Sequence, residues 1–440
     1  MIDLCEYAVS TGDKIGADET EAQWVRNISI AVEAESRHIS QASKTRNEGM
    51  RIRVIKDKAL GSFFTYRMDN HSIERAVEKA ATAARASDTD EHWVSLPQPR
   101  RYSRVDVWDS ALAHVSSEAL LEPVMEILNV IPQDIQVLAA GNQVTLQERA
   151  CCNSNGITHY DRSALGELYI EATGKLEEGV TPAFSEFSLL RKYNPDPHRI
   201  AESVATKIAL FRNQEPASPG KSKVILSPRA LMMLWYFTLF KTLSGENVAR
   251  GKSVFSMGEG ELVASPQVTL HDNGVILEGV ESREMDDEGV PRQNTLLIEE
   301  GVLKGFIWND YWANRMDVKS TGNAHYDDRT GNMTIEQTTM VLSPGDYKQE
   351  DLFDIKDGYY ILEVQGARAS TPESGDFSVL CNPAYRIRNG EITGGCTGMM
   401  ISDNIYQLLH RIDAKGSELE VNEYAALPHV RFSDVNVASK

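Results

Sequence analysis

Twice before residue 215 the chain sets down alternating strands and follows them with a helix whose apolar residues recur at three and four. In the first run Ile28, Ile30 and Val32 alternate with Ser29, Ala31 and Glu33, and Met50, Ile52 and Val54 alternate again. After the polar turn 56–58 the strand pattern resumes over 60–66, which predicts an antiparallel meander. A helix over 72–87 follows, capped by Asn70 or Ser72, with Ile73, Ala76, Val77, Ala80, Ala81 and Ala84 on one stripe. The second run has a leading helix at 120–130, with Leu121, Val124, Ile127 and Leu128 on one face. It continues with strands at 135–138, 143–147 and 165–172 and ends in a helix at 197–211, where Ile200, Val204, Ile208 and Phe211 form the stripe. A unit repeated in this way predicts a structural duplication.

Two stretches punctuate the chain. Residues 87–101 are polar and carry Pro97 and Pro99, and residues 215–220 read EPASPG. Strand 223–226 then leads into Ser227-Pro228, with Ser as N-cap and Pro at the first helical position. The apolar run 230–240 follows, too short for a bilayer, which needs about 20 residues. Its face of Leu234, Trp235, Tyr236, Phe237, Leu239 and Phe240 is apolar all round, which predicts a buried helix. From Val254 onward short strands and tight turns such as Asn389-Gly390 dominate, with a late helix at 403–412. The expected fold class is α+β: an N-terminal α+β domain over 1–215, built on the duplicated strand-helix unit, and a β-rich C-terminal domain over 220–440.

Charge narrows the function classes. Lys and Arg number 45 against 64 Asp and Glu, a formal charge of -19. No run of Lys and Arg builds a basic face, so general affinity for nucleic acid or anionic membranes is not expected. The five cysteines are odd in number, form no CxxC, and include the adjacent pair Cys151-Cys152. With no signal-peptide pattern at the N-terminus, this composition points to a cytoplasmic protein.

Neither a GxSxG elbow, nor a phosphate loop, nor an HExxH occurs. Cys151 and Cys152 read as buried structural thiols. His271 and Asp272 with His325, Asp327 and Asp328 are the sharpest metal candidate, although 327–331 reads more simply as a turn. Two constellations stand out for binding a substrate or partner. One is Asp286, Asp287, Glu288 and Gly289, three acids in a row before a glycine, which are costly to place together unless solvated, capping or liganded. The other is Ser320, Thr321, Gly322 and Asn323, small hydrogen-bonding side chains around a glycine that lets another backbone approach. Trp308, Tyr311 and Trp312 lie at helical spacing among polar residues. They predict a dimer contact burying more than about 1,000 Å².

Several segments, spread over nearly the whole chain, carry a resemblance. They include GMRIRVIKD at 49–57, NSNG at 153–156, LSPRA at 226–230, LSGE at 243–246 with Arg250-Gly251, DDEGVP at 286–291, LIEEGVLKG at 297–305, STGN at 320–323, GDFS at 375–378 and IRNGE at 387–391. In order and spacing they resemble the TldD/PmbA family, historically called modulators of DNA gyrase. The resemblance implies a two-subunit cytoplasmic metalloprotease in which one subunit type, TldD, carries HExxxH on the helix after the SPRA-like segment, and the other, PmbA or TldE, lacks it. Here those three ligand positions fall at Tyr236, Phe237 and Lys241, and no cysteine follows Cys396. Tyr and Phe replace neither an imidazole nor a carboxylate base, and a lysine cation repels zinc.

The chain therefore resembles the PmbA/TldE type. The resemblance implies no catalytic residue and no cofactor in this chain, with zinc expected in a TldD-type partner. The expected role is to complete or gate a cleft that admits unfolded or flexible peptides, gripped by strand addition. The alternatives are a homodimeric, non-proteolytic scaffold protein and an independent hydrolase built on the His271/His325 group.

Overall fold

Alternation over long stretches, broken by two-residue turns in the first unit and by longer loops in the second, folds the first half into one antiparallel sheet; the computed structural model describes residues 1–327 and 330–439. Helix α1 (Ile2–Lys14) precedes β1 (Glu19–Glu35), β2 (His38–Lys56), β3 (Ala59–Thr65) and α2 (Asn70–Ala86). After the short α3 (Ser110–Ala113) the same order returns: α4 (Ser117–Val130), β4 (Ile135–Asn153), β5 (Thr158–Gly174), β6 (Phe184–Leu190) and α5 (Pro197–Phe211). The strand order is β3-β2-β1-β4-β5-β6. The first strands of the two units thus lie antiparallel side by side, as a two-fold relation requires, with Trp24 facing Ala150 and Ile30 facing Val144. The duplication is present, and each copy is larger than the sequence pattern suggested.

Period-two burial separates the faces of this sheet. Ala22, Trp24, Met50, Ile52 and Val54 pack with Ile73, Ala76, Val77 and Ala80 of α2. Ile30, Val144, Leu168 and Ile170 pack with Val124 and Ile127 of α4 and Val204 and Ile208 of α5. The other face presents Glu21, Gln23, Arg53 and Arg149 toward the second half of the chain.

That half is built on strands. β7 (Gln214–Pro216) and β8 (Gly220–Leu226) enter a ten-stranded mixed sheet, where β8 runs parallel to Asp357–Ile361 and antiparallel to Val430–Ser439. A second, six-stranded sheet contains Leu270–Asn273, Asn294–Glu299 and Met340–Leu342. Helix α6 (Pro228–Tyr236) starts as expected, with Pro228 at its first position and Ser227 Oγ accepting from Ala230 N at 3.1 Å. Leu231, Leu234 and Trp235 of α6 join Val224, Leu270, Met340 and Phe432 in one core that draws on both sheets. Each of these side chains contributes roughly 1.5–3 kcal/mol by burial.

Some elements differ from the sequence reading. The α2 cap is Asp69, whose carboxylate accepts from Ser72 N, and not Asn70 or Ser72. The late helix is shorter, Ile405–Leu409. Helix α1 and strand β6 were not anticipated. Trp308 and Trp312 are 7% and 8% exposed and belong to the chain's own core, and Tyr311 stacks on Trp93 with centroids 6.4 Å apart. These rings are satisfied within one chain and do not anchor the expected dimer contact. Among the described residues, no helix is long and apolar enough to cross a membrane.

Candidate functional site

Helix α6 is not buried all round. Leu231, Leu234 and Trp235 point inward, but Arg229, Met233, Tyr236 and Phe237 are half-buried. Their spacing of four, three and one is that of a single helix face. Arg229 and Met233 on that face line a cavity shared with Tyr169 and Phe187 of the duplicated sheet. The positions that would carry zinc ligands in an HExxxH helix therefore fall on the open side, where chemistry needs them.

What occupies this side is aromatic. Tyr236 lies 4.7 Å from the Tyr424 ring and 4.9 Å from Phe237, and Lys241 Nζ stands 5.8 Å from the Phe237 centroid. Burial, with Glu336 beside it, pushes the Tyr236 phenol up to about 12. The helix also breaks here. α6 ends at Tyr236, Thr238 leaves helical geometry (φ -126, ψ -86), and a new turn runs Leu239–Thr242. Thr238 Oγ1 donates to Leu234 O at 2.6 Å, a back-bond that helps bend the end. These residues do not fit a zinc ion: the set offers one phenol, no imidazole and a cation. Among the described residues, no group of three or more His, Cys, Asp or Glu is placed to hold a metal ion.

The cleft continues along β6, the last strand of the sheet, which pairs only with β5 among the described residues. Ser185, Glu186, Phe187 and Ser188 line a cavity of about 600 Å³, and it adjoins one of about 1,070 Å³ under α5. Lys207, Tyr360 and His429 line both. His429 Nε2 lies 2.9 Å from Tyr360 Oη, and burial, then Lys207, pushes the imidazole down to about 4. A third cavity of about 250 Å³ lies against α6, lined by Glu167, Tyr169, Arg229 and Met233. The β6 segment FSEFSLL has no clean polar alternation, which hid it in the sequence.

The two predicted constellations do come together, away from the cleft wall. Asp286 Oδ1 accepts from the backbone N–H of Glu288 and of Val290, and its Oδ2 accepts from Ala324 N, each at 2.9 Å. Burial and then Glu288 push Asp286 up to about 8, against these three donors. Asp287 pairs with Arg149 and accepts from Tyr326 N at 2.8 Å. Burial raises it, but Arg149 and Arg283 prevail and hold it well below the usual range. Glu288 accepts from Arg53 Nη2 and from Asp310 N, both at 3.1 Å. Gly289 (φ +77) offers its carbonyl to Tyr102 Oη at 2.7 Å.

In the second segment Ser320 Oγ donates to Trp308 O at 3.2 Å, and Thr321 Oγ1 accepts from Trp308 N at 2.7 Å. Gly322 (φ +76) lies on the Pro291 carbonyl, where a Cβ would stand 2.4 Å from the oxygen. Asn323 Nδ2 donates to Asp272 Oδ2 at 2.6 Å. Asp286, Asp287, Glu288, Ser320 and Asn323 are all buried, and the strongest partners of the acidic run are arginines of β2 and β4.

The histidine group is not assembled. Asp272 is taken by Asn323 and Thr338, and His325 Nδ1 lies 3.6 Å from Asp287. Asp327 opens a turn, accepting from Thr330 N, and Asp328 lies outside the described residues. Cys151 and Cys152 are buried and unbridged, as read from the sequence.

Comparison with known proteins follows this geometry. Residues 219–439 match the model of the PmbA/TldA metallopeptidase C-terminal domain, and residues 20–84 match that of PmbA/TldA metallopeptidase domain 1. The crystal structure of TldE from Thermococcus kodakarensis superposes with a TM-score of 0.95 at 31% identity, covering 99% of this chain and 100% of that one. A protein of Thermotoga maritima described as a putative modulator of DNA gyrase shares the fold at 23% identity and a TM-score of 0.90, with 99% of each chain covered. A metalloprotease TldD homolog of Buchnera aphidicola is 29% identical over 221 residues, 50% of this chain and 46% of that protein. An uncharacterised protein of Methanocaldococcus jannaschii is 26% identical over 92% of each chain.

Proposed function

Because this chain belongs to the PmbA/TldD metallopeptidase family, we propose that it works as the TldE-like, non-catalytic subunit of a cytoplasmic zinc metallopeptidase acting on unfolded or flexible peptides. One observation carries the reading. The open face of α6, where the family's ligand helix would present HExxxH, carries Tyr236 and Phe237 and then breaks before Lys241. A TldD-type partner supplies the zinc, and this chain supplies a wall of the cleft. The unpaired edge of β6 supports that role, since an extended peptide laid along it gains backbone hydrogen bonds without a demand on its sequence. The Asp286–Gly289 loop, paired with Arg53 and Arg149 of the duplicated sheet, and the Ser320–Asn323 loop bound to it join that sheet to the second half of the chain.

Co-expression with an HExxxH-bearing family member tests this. The two chains should co-elute, with one zinc bound by the partner, and together cleave an unstructured peptide that this chain alone leaves intact. A preparation of this chain alone that holds one zinc and cleaves the peptide overturns the assignment.

A further inference from the structure

On the face of the duplicated sheet turned away from α2 lies a cavity of about 230 Å³. Gln23 of β1 and Arg51 of β2 are cross-strand partners in its floor, and Phe64 of β3 stands opposite Arg51 in the same row. Position 23 faces this way because its neighbours Ala22 and Trp24 pack on α2.

Arg51 is the cation left over in this cavity. Of the carboxylates along the wall, Glu48 is paired with Arg46 at 2.6 Å and Asp287 with Arg149. Arg51 forms no ion pair among the described residues; its Nη1 donates to Gly331 O at 3.1 Å. Its Cζ lies 4.1 Å from the Tyr326 ring centre and 5.6 Å from that of Phe64. The two rings and the carbonyl orient the guanidinium, and Nε and Nη2 make no hydrogen bond with a described residue.

A second feature points to a ligand independently of that charge. Gln23 is 7% exposed, and its side-chain amide makes no hydrogen bond with a described residue. Neither amide atom is sealed off, so both keep surface in the cavity that Gln23 lines. Polar side chains this deeply placed are ordinarily paired, and one that is open and unpaired beside an oriented cation marks a place where a partner arrives.

We propose that this cavity binds a carboxylate of a peptide, held by the Arg51 guanidinium and the Gln23 amide. The inference rests on the reading that the protein handles peptides, and it adds how a client is anchored. A carboxylate is planar and accepts two parallel bonds from a guanidinium. One free cation balances one negative charge, whereas a phosphate dianion would also meet Glu48 and Asp287. Beside this pair, Asn27 gives its Oδ1 to Gln147 Nε2 at 2.9 Å, which leaves its Nδ2 to donate to a peptide carbonyl. Val25 and Tyr66 supply apolar surface for a neighbouring side chain. A C-terminal carboxylate and a glutamate side chain share this chemistry, and the test separates them.

Fluorescence anisotropy on the full chain uses N-terminally labelled Gly/Ser peptides with a free C-terminus, an amidated C-terminus, or an amidated C-terminus and one central glutamate. The free acid or the glutamate peptide should bind about tenfold more tightly than the plain amide, and whichever gains is the source of the carboxylate. Arg51→Gln should remove the gain and leave the plain amide unchanged. Gln23→Met should reduce the gain several-fold without lowering the thermal midpoint, because no hydrogen bond within the chain is lost. Should Arg51→Gln misfold, Arg51→Lys should keep only part of the gain, since it retains the charge and loses the fork. Excess inorganic phosphate should leave the peptide bound. Equal binding of all three peptides, a gain that survives Arg51→Gln or Gln23→Met, displacement by phosphate, or no binding at all overturns the proposal. Co-elution with the zinc-bearing partner is measured separately, so a failed anchor leaves the subunit assignment standing.

Discussion

Arg53 stands between two carboxylates, Glu21 at 2.8 Å and Glu288 at 3.1 Å, with all three side chains buried. Arg53→Ala strands both acids without a counter-charge, and the expected loss is about 3–5 kcal/mol in urea denaturation. A loss below about 1 kcal/mol would show that water reaches the carboxylates, contrary to their burial. The acidic run 286–288 was legible as unusual, but its partners were not. Arg53 lies 235 residues from Glu288, and nothing local in either segment names the other. His429 gives a second residue-level prediction. Its folded pKa, about 4, lies below its ordinary 6.5, so its contribution is full above pH 6.5 and is lost as pH falls toward 4. His429→Gln should flatten the pH dependence of stability across that window relative to the parent protein. An unchanged slope between the two proteins would place the imidazole in contact with solvent.

At the scale of elements, α5 shows what a sequence can carry. Its stripe of Ile200, Val204, Ile208 and Phe211 fixed it over Pro197–Phe211, and all four are buried. α1 shows what escapes. Its buried face is Cys5, Ala8, Thr11 and Gly12, small and partly polar, because Gly12 lies so close to Thr20 that a Cβ there would meet Oγ1 at 2.0 Å. A hydrophobic period has no means of reporting a face chosen for closeness. α6 was legible at its start and misleading at its end, where the apolar run passes through Phe237 and Thr238 without announcing the break. That break has a measurable effect. Tyr236→His/Phe237→Glu/Lys241→His restores the HExxxH letters, yet the last ligand sits beyond the bend. Metal analysis should find well under one zinc per chain, and stoichiometric zinc would mean that the helix runs on. The α2 cap is a smaller test: Asp69→Ala should cost about 1 kcal/mol, read from thermal or chemical unfolding.

For the molecule as a whole, the duplication was visible because both copies obey one pattern, whereas the cleft was not, because its walls come from segments far apart in the chain. The Trp308, Tyr311 and Trp312 cluster illustrates the same limit. Helical spacing with polar neighbours suits a core and an interface equally, and only the tertiary fold decides. Trp312→Asp should therefore unfold the chain, at a cost of about 3–5 kcal/mol or more, and not yield a folded monomer. A well-folded Trp312→Asp protein by circular dichroism and sizing would return the ring to an interface. One outcome of the doubled architecture concerns the behaviour of the protein in a crowded solution. A sheet assembled from two like halves inherits two like borders, and either is a template for unwanted fibre growth. At β3 the chain's own Ala59–Thr89 bridge occupies part of the border. At β6 the border is recessed instead, with the second half of the molecule standing over it. A single loose strand can reach such a ledge, while the rim of another folded sheet is kept off by bulk. The same recess that would admit a client thus also acts as a guard against aggregation.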